Sequence, residues 1–236
     1  WEFSDAKKIL EIIKKIQKLN LSEDAKEIYN KVILTNSFPP KKNFSKEQFL
    51  KIKIDWLIKN GDLELIKDFV IKNNEEEIDP RLLKFYLDQN LSVADLENAC
   101  KLFSFLKNSS NDNYISKYKI YCLINDKKNE LAQLHFDLLK EIGFKDNFFE
   151  EKFNFIMRYS EKNDPKISEK NLLDFHLSHL TSNDFKYEPK ENTSQIIWKY
   201  LSSFNLLENL DKIDLEDGGK IISIEKATHD GNYLET

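Results

Sequence analysis

Apolar residues recur along the chain with the spacing of helices that bury one face. In residues 4–19 the large aliphatic side chains fall on one stripe and lysines occupy the opposite side, which predicts a first helix. Ser22, followed by two acids, predicts a second helix that ends near Thr35, because acids stabilise the positive end of the helix dipole. The two helices therefore form a predicted pair.

Three further helical pairs are predicted in the middle of the chain. A capping box of Ser45 and Gln48 opens the first of them. The turns at Asn60, Asn90 and Asn125 each precede a helix that begins with an acid or a serine. They lie 30 and 35 residues apart, close to the period of about 34 residues of paired-helix repeats.

The second helix of the third pair carries a clear aliphatic stripe. Leu131, Leu134, Leu138 and Ile142 follow one another at helical spacing. We expect this stripe to be the buried face of that helix.

These patterns predict an all-α protein, an α-solenoid of stacked antiparallel helical hairpins that resembles tetratricopeptide repeats. Residues 1–160 form the predicted array, and the polar stretch 161–169 forms a joint. Residues 170–236 continue the array. Later helices are predicted at 172–180, 196–204 and 219–227. Because the chain opens with Trp1 and stops where a helix starts, we expect a piece of a longer protein.

Composition agrees with helices and excludes several functions. Only 5 Gly and 5 Pro occur in 236 residues, too few for the tight turns of a β-rich fold. The net charge is −5, and Arg81 and Arg158 are the only arginines, so nucleic acid is not an expected partner. No apolar run approaches the roughly 18–20 residues of a membrane span, so no transmembrane segment is predicted.

No sequence motif points to catalysis. With so few glycines there is no phosphate-binding loop or dinucleotide fingerprint, and no zinc-protease motif occurs. We therefore predict no enzyme activity and no cofactor. His176 and His179 lie three residues apart and could present two metal ligands, but a third ligand is missing. We predict partly exposed histidines there and no metal site.

Four tyrosines are the candidates for contact with a partner. Tyr86, Tyr114, Tyr118 and Tyr121 fall on the first helices of their predicted hairpins. Such helices commonly line the concave face on which stacked hairpins bind proteins or peptides. Packing in the core is the alternative role for these side chains.

Cys100 and Cys122 are the only two cysteines, and both fall on apolar stripes of consecutive helices. A rise of about 1.5 Å per residue brings them to similar heights if the turn lies midway, so a disulfide is feasible. Two buried free thiols are equally compatible with this geometry.

Four short segments around the cysteines follow a recognisable order. They are Ala99-Cys100-Lys101-Leu102, Tyr118-Lys119-Ile120-Tyr121-Cys122, Asn129-Glu130-Leu131-Ala132 and Leu138-Leu139-Lys140-Glu141. Over about residues 45–160 the chain thereby resembles uncharacterised exported helical-repeat proteins of alphaproteobacteria, with Tyr121 where that family prefers phenylalanine. The resemblance implies a location in the cell envelope and a Cys100–Cys122 disulfide, and it implies no activity.

The sequence thus favours a non-enzymatic scaffold in the periplasm or cell envelope that binds a protein or peptide on a concave helical surface. One alternative is a superhelical accessory domain of a larger enzyme, such as a cell-wall glycosidase. Another is a cytoplasmic adaptor whose two thiols are free.

Overall fold

A computed structural model describes most of the chain, and the described part is all-α. It covers residues 2–35, 39–40, 42–74, 78–106, 111–190, 192–207 and 221. Eleven α-helices and one short 3-10 turn occur in these ranges, which contain no strand. The all-α prediction is therefore confirmed, whereas the solenoid arrangement stays a prediction.

Contacts divide the chain into two compact units, Trp1–Asn73 and Asn74–Thr236, which we call unit 1 and unit 2. The polar stretch 161–169 lies within unit 2. The predicted helix at 219–227 lies outside the described residues, apart from Ile221, which is helical.

Unit 1 consists of four helices around a small apolar core. The helices are α1 (Ala6–Ile16), α2 (Glu23–Leu34), α3 (Lys46–Asn60) and α4 (Leu63–Lys72). The predicted capping box of Ser45 and Gln48 is present, and Gly61 ends α3 in the left-handed conformation with φ +70°. The core cluster consists of Ile9, Ile13, Tyr29, Ile33 and Trp56. Packing of these side chains joins α1, α2 and α3.

The described part of unit 2 contains seven helices, and the first of them has the central position. The helices are α5 (Pro80–Ser92), α6 (Leu96–Lys101), α7 (Asn113–Asn125), α8 (Asn129–Glu141), α9 (Asn147–Ile156), α10 (Leu172–Leu180) and α11 (Gln195–Ser203). The 3-10 turn Leu102–Ser104 follows α6. Helices α6, α7, α10 and α11 all pack on α5, while α8 packs on α7 and α9 packs on α10.

The aliphatic stripe of α8 does not face the core, and the prediction of its burial was wrong. Leu131, Leu134, Leu138 and Ile142 are 48%, 52%, 48% and 76% exposed. The helix packs through a second stripe instead, formed by Ala132, Phe136 and Leu139. The ring of Phe136 lies 5.9 Å from that of Phe149 and 4.3 Å from that of Phe153, both on α9. An aromatic cluster of this kind buries more apolar area per residue than leucines do.

The predicted joint is non-helical but well anchored. The buried Lys152 ammonium on α9 donates to Asn163 Oδ1 at 2.7 Å and to the Asp164 carbonyl at 2.6 Å. The Asn163 side-chain amide donates to the Thr181 carbonyl at 2.7 Å. These bonds tie the segment to both neighbouring helices.

Candidate functional site

The two cysteines form a disulfide. Cys100 at the end of α6 is bonded to Cys122 on α7, with 5.3 Å between their Cα atoms. The pairing that the resemblance implied is confirmed, and no free cysteine remains. The bridge therefore joins two helices of unit 2 and leaves no thiol for chemistry.

The four candidate tyrosines lie in the interior of unit 2. Tyr86, Tyr118 and Tyr121 are buried, and Tyr114 is half-buried. The Tyr118 hydroxyl donates to the Leu87 carbonyl at 3.0 Å. Tyr86, Tyr118 and Tyr121 therefore pack in the core, the alternative role, and contact of the four tyrosines with a partner stays a prediction.

The Tyr114 hydroxyl has polar partners on two helices. It donates to Asp88 Oδ1 on α5 and accepts from the Leu173 amide of α10 at 3.2 Å. Tyr114 thereby links α5, α7 and α10, and its one donor hydrogen is used within the protein.

The histidine pair of α10 is part of a buried hydrogen-bond chain. His176 is buried, so the prediction that it is partly exposed was wrong, while His179 is half-buried. The Tyr121 hydroxyl lies 2.6 Å from His176 Nε2, and the Tyr200 hydroxyl lies 2.7 Å from His176 Nδ1. The same Tyr200 hydroxyl lies 2.8 Å from His179 Nδ1.

The hydrogens of this hydrogen-bond chain can be placed in two orders. Burial lowers the pKa of His176 to about 3, so its ring is neutral at pH 7, with one donor and one acceptor nitrogen. In one order Tyr121 donates to His176, His176 to Tyr200 and Tyr200 to His179, and the remaining ring hydrogen of His179 has no partner within the hydrogen-bond chain. In the reverse order the Tyr121 hydrogen has none. In either order, both ring nitrogens of the buried His176 are hydrogen-bonded.

A buried ion-pair triad ties three segments of unit 2 together. The Lys117 ammonium on α7 lies 2.9 Å from Asp146 Oδ2 at the start of α9 and 2.9 Å from Asp174 Oδ1 on α10. Burial alone raises the pKa of Asp146, but hydrogen bonding and the charge of Lys117 lower it below its usual range. The charges of the triad are satisfied internally.

The described residues hold no group of three or more histidine, cysteine or acidic side chains placed to bind a metal ion. A search of the same part of the chain also finds no helix with both the length and the apolar character needed to cross a bilayer.

An open apolar groove runs between α1 and α2 of unit 1. It has a volume of about 460 Å³ and is lined by nine residues whose side chains are almost all aliphatic. These are Ile9, Ile12, Ile13, Ile16, Leu21, Ala25, Ile28, Tyr29 and Val32. Ile9 and Ile13 also belong to the core, whereas Ile12, Ile28 and Val32 are 56%, 65% and 47% exposed. The apolar stripe of each helix is therefore wider than the part of it that packs into the core of unit 1.

Helix α1 is rich in lysine, but only Lys8 and Lys15 flank the groove. Five exposed lysines lie on or just after α1, against the two acids Asp5 and Glu11. These lysines are Lys7, Lys8, Lys14, Lys15 and Lys18. Lys8 precedes the exposed Ile12 by four residues and Lys15 follows it by three, so both lie on the same edge of the helix.

On the α2 side, the charges are largely paired within the helix. Glu23 lies 2.6 Å from Lys26, and Glu27 lies 2.6 Å from Lys31. On the α1 side, the charges that flank the groove are those of Lys8 and Lys15, with Glu11 between them on the same edge of the helix.

The aliphatic residues that line the groove were visible in the sequence, but their spacing was interpreted as that of a helix with one buried face. The excess of lysine over acid on α1 was equally visible. Local spacing does not reveal how much of an apolar stripe the neighbouring helices cover.

Comparison of the chain with known protein families, with curated proteins and with solved structures finds no match. The resemblance to exported helical-repeat proteins therefore stays a prediction, and the function has to be argued from the groove itself.

Proposed function

We propose that this chain is a non-enzymatic interaction module, and that its α1–α2 groove binds the apolar face of an acidic amphipathic helix on a protein partner. The observation that carries the proposal is an open apolar groove whose exposed side chains Ile12, Ile28 and Val32 are flanked on the α1 side by two lysines, Lys8 and Lys15. An amphipathic helix is a common occupant of such grooves, because its apolar face repeats at the same spacing as the groove walls.

The energetics suit a reversible contact. Complete burial of one aliphatic side chain contributes on the order of 1.5–3 kcal/mol, so three half-exposed side chains contribute on the order of 3 kcal/mol in total. Charge attraction to the lysines of α1 mainly raises the association rate and selects against basic partners. We therefore expect moderate affinity that falls as salt is added.

The disulfide supports an oxidising compartment, such as a bacterial periplasm or another part of the cell envelope. Disulfides persist in such compartments and are rare where thiols are kept reduced. Stacking of hairpins into a solenoid belongs to this proposal as well, with the recurrence of turn signals as its support.

The test uses two designed peptides that differ only in charge. Both are helices of about 18 residues with the same leucine face, one with glutamates and the other with lysines on the polar face. Fluorescence anisotropy of the labelled peptides measures binding to the full chain. We expect the acidic peptide to bind at least tenfold more tightly than the basic one at low salt.

Substitutions in the groove separate this site from non-specific adsorption. Ile12→Ser and Ile28→Ser should each weaken binding of the acidic peptide at least fivefold. Leu134→Ser is the matched control, because Leu134 is an equally exposed aliphatic residue on α8 of unit 2. It should leave the affinity unchanged.

Three results would contradict the proposal. The first is equal binding of the two peptides, and the second is full affinity in Ile28→Ser. The third is self-association of the chain that Ile28→Ser abolishes in sedimentation, which would make a second copy of the chain the occupant.

A further inference from the structure

Three lysines are buried in the described part of the chain, and their surroundings differ. They are Lys53, Lys117 and Lys152. Lys117 meets two carboxylates, and Lys152 meets an amide oxygen and a carbonyl oxygen. Lys53, which is 8% exposed, donates to the Thr35 carbonyl at 3.1 Å and lies 4.7 Å from the ring centre of Phe49. Lys53 alone among them has neither an ion pair nor a second oxygen within the described residues.

The Lys53 side chain lines a cleft of about 340 Å³ in unit 1. The walls come from the end of α2, from α3 and from α4, and they combine apolar side chains with a few charged ones. The lining residues are Leu34, Lys53, Leu65, Asp68, Phe69, Lys72 and Asn73. The amide of Asn73 is already bonded to the Phe69 carbonyl at 2.7 Å.

The cleft has the buried Lys53 ammonium inside and an ion pair of opposite charges at its edge. Asp68 and Lys72 are both exposed, and Lys72 Nζ lies 3.6 Å from Asp68 Oδ2. The pair nearly cancels, so the charge in the cleft that lacks an ion-pair partner among the described residues is that of Lys53. Burial lowers the pKa of the Lys53 ammonium, because removal from water disfavours the charged form.

A carboxylate bound in the cleft would supply this missing counter-ion. An ammonium has three donors, and Lys53 has one carbonyl acceptor and one ring face. A second negative charge on the ligand is disfavoured, because the Asp68 carboxylate also lines the cleft. The apolar side chains Leu34, Leu65 and Phe69 suit a hydrocarbon tail.

We propose that this cleft binds a small monocarboxylate with a short apolar tail, its carboxylate on Lys53 Nζ and its tail against Leu34, Leu65 and Phe69. The volume of the cleft lies at the lower end of the range for small-molecule sites, which limits the ligand to a few carbon atoms beyond the carboxylate. The site is separate from the α1–α2 groove, and each can be tested without the other.

The test compares hexanoate with hexanamide, which has the same tail and no charge. Titration of the full chain, followed by NMR with labelled lysine side chains, should give saturable binding of hexanoate with millimolar affinity and movement of the Lys53 signals. Hexanamide should bind at least tenfold more weakly. Hexanoate affinity should also fall as pH rises through the pKa of Lys53, because only the charged ammonium binds a carboxylate.

Two variants test the assignment to Lys53. Lys53→Met keeps the length and apolar stem of the side chain and should reduce hexanoate affinity at least tenfold. Lys72→Met removes the exposed cation at the edge and should change the affinity less than threefold. Circular dichroism checks that each variant is folded, and the pH series on the unaltered chain decides the outcome if Lys53→Met is not.

The proposal is overturned if hexanamide binds as tightly as hexanoate, if folded Lys53→Met retains full affinity, or if the affinity of the unaltered chain is the same on both sides of the Lys53 pKa. Inorganic phosphate that binds as tightly as hexanoate would also overturn it, because the proposed ligand has one charge and a tail.

Discussion

In unit 2, the Lys117 ammonium meets two carboxylates and both ring nitrogens of His176 have hydroxyl partners. In unit 1, Lys53 has no carboxylate among the described residues, and the buried Tyr29 hydroxyl has no hydrogen-bond partner there. Lys117 and His176 of unit 2 are therefore satisfied internally, whereas Lys53 and Tyr29 of unit 1 lack such partners among the described residues. Exposed apolar side chains occur in both units, on α8 in unit 2 and in the α1–α2 groove in unit 1. The two units thus differ in how their buried polar groups are paired.

Loss of the lysine of the triad should give the largest effect. Lys117→Met leaves Asp146 and Asp174 buried without their cation, and we expect the free energy of unfolding to fall by about 3–5 kcal/mol. Urea denaturation followed by circular dichroism measures the change. Lys31→Met is the control, since it breaks an exposed pair and should cost less than about 1 kcal/mol. A loss below 1 kcal/mol in Lys117→Met would contradict the comparison.

Removal of the disulfide should have the next largest effect, and it should be confined to unit 2. The bridged cysteines are 22 residues apart, so the double variant Cys100→Ser/Cys122→Ser should lose about 3 kcal/mol of stability. Unit 1 contains no cysteine, and its affinity for the acidic peptide should be unchanged at 25 °C. Weaker peptide binding in the double variant would mean that the two units are not independent.

Two buried groups of unit 2 should have opposite effects on stability in mild acid. The pKa of His176 is lowered to about 3, so between pH 6.5 and 3 the unfolded chain binds more protons and stability falls on acidification. Burial raises the pKa of Asp88 to about 6, against the lowering effects of Tyr114 and Lys84. Between pH 6 and 3.8 the folded chain therefore binds more protons at Asp88, and stability rises on acidification.

Single substitutions should expose each effect. Between pH 6 and 4.5, Asp88→Asn should lose stability by on the order of 1–2 kcal/mol more than the unaltered chain does, while His176→Gln should lose less than it. Urea denaturation across this range measures both slopes. Equal slopes in the two variants would show that neither group has the assigned pKa.

The smallest effect on stability is expected in the groove of unit 1. Ile12→Ser and Ile28→Ser alter exposed side chains and should change the free energy of unfolding by no more than about 0.5 kcal/mol, although they weaken peptide binding. Thermal denaturation of each variant checks this. A loss above 2 kcal/mol would mean that the groove belongs to the core and is not a surface for a partner.

Local signals in the sequence predicted individual helices well. The helix predicted at 172–180 is α10, and the helix predicted at 196–204 is α11 with a shift of one residue. The Ser45 and Gln48 capping box was also found, because capping depends on residues three positions apart. Features of this kind need only neighbouring residues.

Features that depend on contacts between distant residues were not predictable in the same way. The hydroxyl partners of His176 are 55 and 24 residues away, so its burial left no local trace. On α8 the sequence offered two apolar stripes, and the contact of Phe136 with α9 decided which one packs. From the sequence alone, Lys117 could not be distinguished from a surface lysine, because its partners Asp146 and Asp174 are distant in the chain.

The Cys100–Cys122 bridge also changes what a cut in the chain would do. It closes a ring that contains the connection from α6 to α7. A protease that hydrolyses one peptide bond inside this ring leaves both fragments joined through sulfur. Unit 2 would therefore stay one covalent molecule after a nick at that connection, and the nick would become visible only on a reducing gel.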